Sequence, residues 1–317
     1  MERILVTGGA GYLGSHICYS LAKKGYLPVA YDDLSTGRAA NVRWGPLQIG
    51  DIGDKARLET ALARHKPLAV IHLADRAVGG GQAGESSGSA FGDTTALLSF
   101  LADQGLKKVV LSGWPSIRDE SAGPGEASGH DLASINRLLD DSRRHSGIRT
   151  VMLRHLETAG CEGQYRIERS RSRPSDTIGR LAEAVGGTRD CFRLYGCDHP
   201  TRDGTFVGDH LHVMDAAAAY VEAVDYLIEG GETVALDLGT GRGASVRDLI
   251  ELVRRISGSH IEIVPMPNRS DDRTELAIDP TPAQRILNWS PSHSLRETVM
   301  SAVLWSIRHR GVTATAA

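Results

Sequence analysis

The chain has little cysteine, no cysteine pair at metal-ligand spacing, no long apolar run and no surplus of positive charge. Its four cysteines, Cys18, Cys161, Cys191 and Cys197, are scattered through 317 residues. With neither a CxxC pair nor the framework of a small secreted domain, the sequence suggests neither a zinc site nor a disulfide scaffold. The thiols are expected to be reduced and structural, and no metal is expected. No run approaches the ~18 apolar residues a membrane span needs, and no charged and apolar leader precedes the first strand-like run. The expectation is a cytoplasmic protein with no membrane partner. A formal net charge of −3 gives no basic footprint for nucleic acid. No internal repeat is evident.

What is present is an alternation of short apolar runs with amphipathic segments. The runs are RILVT at 3–7, LPVAY at 27–31, LAVIHLA at 68–74, KKVVLS at 107–112 and RTVML at 149–153. Short β-branched runs separated by helical stretches imply a parallel sheet covered on both faces, a doubly wound α/β architecture. SHICYSLAKKG and ALLSFLADQGL carry apolar residues at helical spacing and end near glycine, as helices do. Two segments break the rhythm, GGGQAGESSGSAFG at 79–92 and RDESAGPGEASGHD at 118–131, and their Gly, Ser and acidic content predicts mobile loops. A third, YRIERSRSRPSD at 165–176, gathers Arg166, Arg169, Arg171 and Arg173, which make either a solvated face or an anion-binding lid.

VTGGAGYLGSH follows the first strand and opens a helix, the context in which a glycine pattern becomes specific. Gly8, Gly11 and Gly14 let the backbone turn tightly, approach a pyrophosphate and pack helix on strand, while the helix N-terminus faces the negative charge. Asp32, at the end of the second strand in YDDLSTG, is placed to accept hydrogen bonds from both hydroxyls of an adenosine ribose. Its carboxylate repels a 2′-phosphate, which favours NAD over NADP.

TGGAGYLGSH, DDLSTG, GDIGD and VIHLA resemble, in order and spacing, the extended short-chain dehydrogenase/reductases, and most closely the UDP-glucose 4-epimerases. The likeness continues through LYGCDHPTRDGTFVGDHLHVMDAA at 194–217, LDLGTGRGASV at 236–246 and PNRSDDRTELAID at 267–279, and so covers nearly the whole chain. It implies a Rossmann-type core over 1–156 and a smaller substrate-binding lobe over 157–317, some of whose segments return to the core. It implies NAD as cofactor, a nucleotide-diphosphate sugar as substrate and a homodimer. The dimer is expected to join through helices near 93–104 and 133–145, with Leu97, Leu98, Leu101, Leu138 and Leu139 on their apolar faces. Around the cofactor the resemblance places Gly8, Gly11, Tyr12, Leu13, Gly14, Asp32, Asp33 and Ser35. Asp51 and Ile52 flank the adenine, Leu73 and Ala74 line the cleft, and Arg76 replaces a lysine.

The family's catalytic pair is missing. Its enzymes use a serine or threonine and a YxxxK pair, in which the lysine charge favours a tyrosinate that takes a sugar hydroxyl proton while hydride passes to nicotinamide. Matching SGHDLASINRLL to that helix puts Ser128 at the tyrosine and Leu132 at the lysine, and a shift of three gives Asp131 and Ile135. Neither register restores the pair. LSGWPS puts Trp114 at the serine or threonine, with Ser112 and Ser116 as nearby hydroxyls. The chain's one YxxxK, Tyr19 to Lys23, sits on the helix after the glycine loop, beyond the turns that serve the phosphates.

The substrate side departs too. By resemblance the family's asparagine becomes Glu157 and an arginine becomes Gly208, which removes a bidentate phosphate contact. Arg269 and Asp272 keep their positions, and Asp176, Thr177 and Tyr195 complete the expected substrate residues. Three readings remain open. One is an epimerase whose acid/base groups have moved, with His130 as the titrating group and Ser128, Ser112 and Ser116 as orienting hydroxyls. The plainer reading of His130 is a solvated loop histidine, and His72, His155, His210 and His212 are expected to satisfy local packing and hydrogen bonds. The second is a catalytically silent protein that binds NAD and nucleotide sugar, and the third a dehydratase or reductase of the same superfamily.

Overall fold

Ile4 and Val6 point to one face of the first strand and Leu5 to the other, and all three are fully buried. Successive side chains of a strand alternate between faces, so such a strand needs protein on both sides. The computed structural model describes residues 1–73, 87–113, 139–141, 143–144, 147–168, 176–187, 189–267, 275–276 and 278–309, with side chains of the helix at 87–103 described from residue 94.

In chain order the strands are β1 (Arg3–Thr7), β2 (Leu27–Asp32), β3 (Leu47–Ile49), β4 (Ala69–His72), β5 (Lys108–Gly113), β6 (Arg149–His155) and β7 (Thr158–Ala159). They continue with β8 (Phe192–Tyr195), β9 (Val207–Asp209), β10 (Leu211–His212), β11 (Val234–Leu238), β12 (Gly243–Ser245), β13 (Ile263–Met266) and β14 (Glu275–Leu276). Seven form one sheet in the order β11-β6-β5-β4-β1-β2-β3, with every neighbouring pair parallel. The chain runs outward from β1 to β3 and then crosses to β4 on the other side of β1. That reversal opens a crevice at the carboxyl ends of β1 and β4, where doubly wound sheets bind ligands.

Helix α1 (Tyr12–Lys24) and the helix Val213–Ile228 cover one face, burying Ile17, Leu21, Tyr220 and Val224 against Ile4, Val6 and Ile71. Helices α2 (Lys55–His65) and α3 (Ser87–Asp103) cover the other, with Leu58, Leu98 and Leu101 against Leu5, Val29 and Val70. Gly25 ends α1 at φ 101°, a left-handed conformation that glycine adopts without steric cost. A third cluster lies beyond the sheet, where the helices Thr177–Gly186, Val246–Ser257 and Leu295–Arg308 bury Leu181, Leu249 and Val303 with Phe192 of β8.

Three expectations change. The loop expected over 79–92 is helical from Ser87, because α3 extends N-terminally into its glycine- and serine-rich sequence. The leucine stripe expected at a dimer contact faces inward: Leu97, Leu98, Leu101 and Leu139 are core residues of this chain, while Leu138 lies outside the described residues. The sheet also gains two edge strands beyond the five apolar runs, β3 and β11. Arg154 and Asp237 fasten β11 through Nε to Oδ1 at 2.7 Å and Nη2 to Oδ2 at 2.8 Å, across a pair in direct register.

Candidate active site

The glycine loop is built by contacts that leave no room for side chains. Gly8 has φ 71° and donates to Tyr31 O at 2.9 Å, and the Gly11 N–H closes back on Gly8 O at 3.0 Å. A Cβ on Gly14 would stand 2.1 Å from Gly8 O, so only glycine lets α1 sit this close to the loop. The first turn of α1 has neither a side-chain cap nor an acidic residue. Its N-terminal dipole is therefore available to an anion in the crevice. Leu13 packs into the core beneath. The Tyr12 phenol is committed elsewhere, donating to Gly160 O at 2.6 Å and tying the loop to the segment after β7.

Asp32 stands at the end of β2 and is buried. Its Oδ2 accepts from Ala10 N at 2.9 Å and its Oδ1 from Leu34 N at 2.8 Å. Loss of hydration raises its carboxyl above the usual range, and these backbone donors oppose the rise. With about four acceptor sites on a carboxylate and backbone bonds from Ala10, Leu34 and Gly11, Asp32 keeps capacity to accept from a ligand hydroxyl. Asp33 is exposed and accepts from Ser35 N at 2.9 Å and Ser35 Oγ at 2.6 Å, so these two residues shape the loop through each other. Asp51 Oδ1 accepts from Gly53 N at 2.7 Å, its carbonyl accepts from the Tyr31 hydroxyl at 3.0 Å, and Ile52 packs on the core. Leu73 follows β4, with its N–H on Thr7 O at 3.3 Å.

The parallel register brings further groups to the same edge. Thr7 pairs with His72, His72 with Leu111, and Ser112 with Leu153, so the ends of β1, β4, β5 and β6 lie side by side. Ser112, half-buried there, has its hydroxyl beside the fully buried Tyr220 phenol and counters the rise that burial gives the phenol's pKa. The Tyr220 hydroxyl lies 3.3 Å from His155 Nε2, and His155 Nδ1 lies 2.7 Å from Leu156 O. A carbonyl only accepts, so His155 carries its proton on Nδ1 and receives the phenol at Nε2. Loss of hydration lowers the His155 pKa and keeps the ring neutral.

Glu157 lies two residues past β6. Its Oε2 accepts from Thr177 N at 2.8 Å, at the first residue of the helix Thr177–Gly186. Asp176 caps that helix through Gly179 N at 2.5 Å, and Arg180 Nη2 reaches Thr177 Oγ1 at 3.2 Å. Loss of hydration, followed by the neighbouring Asp176 charge, pushes the Glu157 carboxyl up to about 7. The site thus holds a carboxyl that titrates near neutrality, where the ordinary value would leave it ionised.

Gly208 is closed off. A Cβ there would stand 2.7 Å from Phe206 Cε1 and 3.6 Å from His210 Nε2, so no arginine fits without moving the phenylalanine. His210 departs from the expectation for the core histidines, because its Nε2 is buried without a hydrogen-bond partner and burial holds the imidazole down at about 4. His72, by contrast, bonds Thr7 Oγ1 at 2.7 Å through Nδ1. His212 caps the helix Val213–Ile228 by accepting from Met214 N at 3.1 Å. Tyr195 ends β8, in register with Met266 of β13. Tyr19 of the YxxxK sequence packs against Trp44, 5.1 Å between ring centroids with the planes tilted by 50°, under the Arg166 guanidinium. All four cysteines are thiols outside any disulfide, and burial pushes the Cys18 thiol up to about 12. Ala74, Arg76, Ser116, Ser128, His130, Arg269 and Asp272 lie outside the described residues.

A parallel sheet with a glycine loop at its switch point and a buried carboxylate at the end of β2 defines a Rossmann-type α/β protein. The chain belongs to the NAD dependent epimerase/dehydratase family, which matches residues 4–236. It is 39% identical over 324 residues to a UDP-glucose 4-epimerase of Rhizobium meliloti (strain 1021), covering 97% of this chain and 98% of that one. Among solved structures it is similar to a UDP-glucose 4-epimerase from Brucella ovis in complex with NAD, with TM-score 0.87, 32% identity and coverage of 97% and 99%. It is also similar to a UDP-glucose 4-epimerase from Stenotrophomonas maltophila with bound NAD and formylated UDP-arabinopyranose, with TM-score 0.85, 28% identity and coverage of 96% and 98%. The loop described above fits the family's cofactor, because a pyrophosphate needs the close backbone approach that Gly8 and Gly14 provide.

Proposed function

We propose that this protein is an NAD-dependent nucleotide-diphosphate-sugar 4-epimerase, with a UDP-sugar as substrate and a remodelled acid/base site. The observation that carries the reading is the placement of Ser112 and Glu157 on the same sheet edge as the glycine loop and Asp32, within a chain that is similar to UDP-glucose 4-epimerases along nearly its whole length.

Gly8, Gly11 and Gly14 with the N-terminus of α1 would hold the pyrophosphate, Asp32 the adenosine ribose, and Leu73 the wall toward the nicotinamide. Bound NAD supplies the hydride acceptor and donor for the sugar carbon that is inverted. The protein's own task is then to orient the hydroxyl on that carbon and to hold its proton while the carbon is oxidised. Ser112 serves as an orienting hydroxyl. The Tyr220 phenol beside it is turned toward His155 Nε2, which leaves the Ser112 lone pairs for a substrate O–H. His130 is the proposed proton acceptor from sequence.

Glu157 faces the diphosphate and binds as a neutral acid. A carboxylate beside a diphosphate repels it, whereas a protonated carboxyl donates a hydrogen bond, and the anion raises the carboxyl pKa further. Substrate binding is therefore expected to weaken as pH rises above about 7. Phe206 over Gly208 supports a diphosphate contact supplied from another direction than the family's arginine. The protein is proposed to act as a cytoplasmic homodimer, with residues 157–317 closing the substrate side of the Rossmann-type core. Incubation with a panel of UDP-hexoses and UDP-pentoses, with the epimers resolved by chromatography, tests the assignment. An inverted product from at least one sugar is expected, and binding without inversion across the panel would leave a silent binding protein.

A further inference from the structure

The adenosine end of the crevice contains a cation outside the expected cofactor residues. Arg38 donates its backbone N–H to Ala10 O at 3.0 Å, and Ala10 donates to Asp32 Oδ2 at 2.9 Å. A Cβ on Gly37 would stand 2.7 Å from Asp32 Oδ1, so residues 37 and 38 lie directly against the ribose carboxylate. An arginine at this point of the fold is the side chain that accommodates the 2′-phosphate of NADP. Here its Nη1 is ion-paired with Glu168 Oε2, both side chains are about three-quarters covered, and Arg38 Nε is buried without a hydrogen-bond partner. Asn41 fixes the position of Glu168. Its Nδ2 donates to Glu168 O at 2.8 Å and its Oδ1 accepts from Glu168 N at 2.9 Å. Because these bonds hold the backbone, residue 168 stays in place whatever its side chain.

We propose that Glu168 is a cofactor-selectivity residue, excluding a 2′-phosphate by occupying and neutralising Arg38. The inference rests on the NAD reading of the glycine loop and adds a second determinant to Asp32. A 2′-phosphate entering the present site meets the carboxylates of Asp32, Asp33 and Glu168 against one arginine that is already paired. With the Glu168 charge removed, the guanidinium, whose backbone N–H stays bonded to Ala10 O next to Asp32, presents free donors, including the orphaned Nε, to the phosphate.

The test is titration of wild type, E168Q, E168A and R38A/E168Q with NAD and with NADP, by calorimetry. Wild type is expected to bind NAD and to discriminate against NADP. E168Q and E168A are expected to raise the NADP-to-NAD affinity ratio about tenfold or more, and R38A in the double variant to cancel the gain. An unchanged ratio in both single variants, or a gain that survives R38A, overturns the proposal while NAD binding by wild type leaves the cofactor reading standing. Failure of wild type to bind either dinucleotide overturns both.

Discussion

Glu157 Oε2 accepts the backbone N–H of Thr177 at 2.8 Å, which joins the carboxyl edge of the sheet just past β6 to the first residue of the helix Thr177–Gly186. The bond favours the ionised carboxylate, yet loss of hydration and Asp176 outweigh it and set the pKa at about 7.

The linkage has a definite sign. A carboxyl whose folded pKa lies above its unfolded value of 4.5 binds more protons in the native state, so stability is full below that value and falls until the pH passes about 7. The loss is on the order of 1–3 kcal/mol once solvent screening of a half-buried residue is allowed for. Glu157→Gln is expected to match wild type near pH 4.5 and to exceed it in urea melts at pH 8. A variant less stable than wild type at pH 8 would contradict the shift.

Asp32→Ala removes the acceptor of two backbone N–H groups and the proposed partner of the ribose hydroxyls. Two lost hydrogen bonds to a charged group predict a fall of about a hundredfold in NAD affinity. Titration of the purified variant checks this, and an unchanged affinity would remove Asp32 from the cofactor site.

Gly14→Ala forces a methyl to 2.1 Å from Gly8 O, a backbone atom that cannot swing aside. Overpacking of this kind costs roughly 1–3 kcal/mol, and here the strain falls on the loop proposed to receive the pyrophosphate. Loss of NAD binding in a protein that remains folded by circular dichroism is the expected result. Wild-type NAD affinity would show that the loop is not the phosphate cradle.

Leu101 is fully buried against β strands of its own chain, so Leu101→Ala is expected to cost about 2–5 kcal/mol in stability without altering the oligomer. Sedimentation at micromolar concentration is expected to give about twice the 34.0 kDa chain mass for wild type and variant alike. A monomeric wild type would refute the dimer, and a variant that dissociates while staying folded would return the stripe to the interface.

The glycine loop was legible in sequence because each constraint on it is local: Gly8 supplies a positive φ, Gly14 a close approach, and Asp32 ends the adjacent strand. The five apolar runs were legible because a strand buried on both faces is apolar at every position, as Ile4, Leu5 and Val6 are. β3 escaped because three residues at an exposed edge have no such run, and β11 because its pairing with β6 spans more than eighty residues. The Arg38–Glu168 pair and the shifted Glu157 carboxyl were illegible for the same reason. Both arise from residues far apart in the chain, and a pKa depends on hydration that no short motif records.

Inversion by transient oxidation at C4, with the hydrogen held on the bound cofactor, is the central claim, and isotope retention tests it most directly. A UDP-sugar deuterated at C4 is incubated with the NAD-loaded protein in ordinary water, and the separated epimer is analysed by mass spectrometry. The account predicts an inverted product that retains the deuterium at C4. Product in which solvent hydrogen has replaced the deuterium, or no inversion by any UDP-sugar that binds, would contradict it.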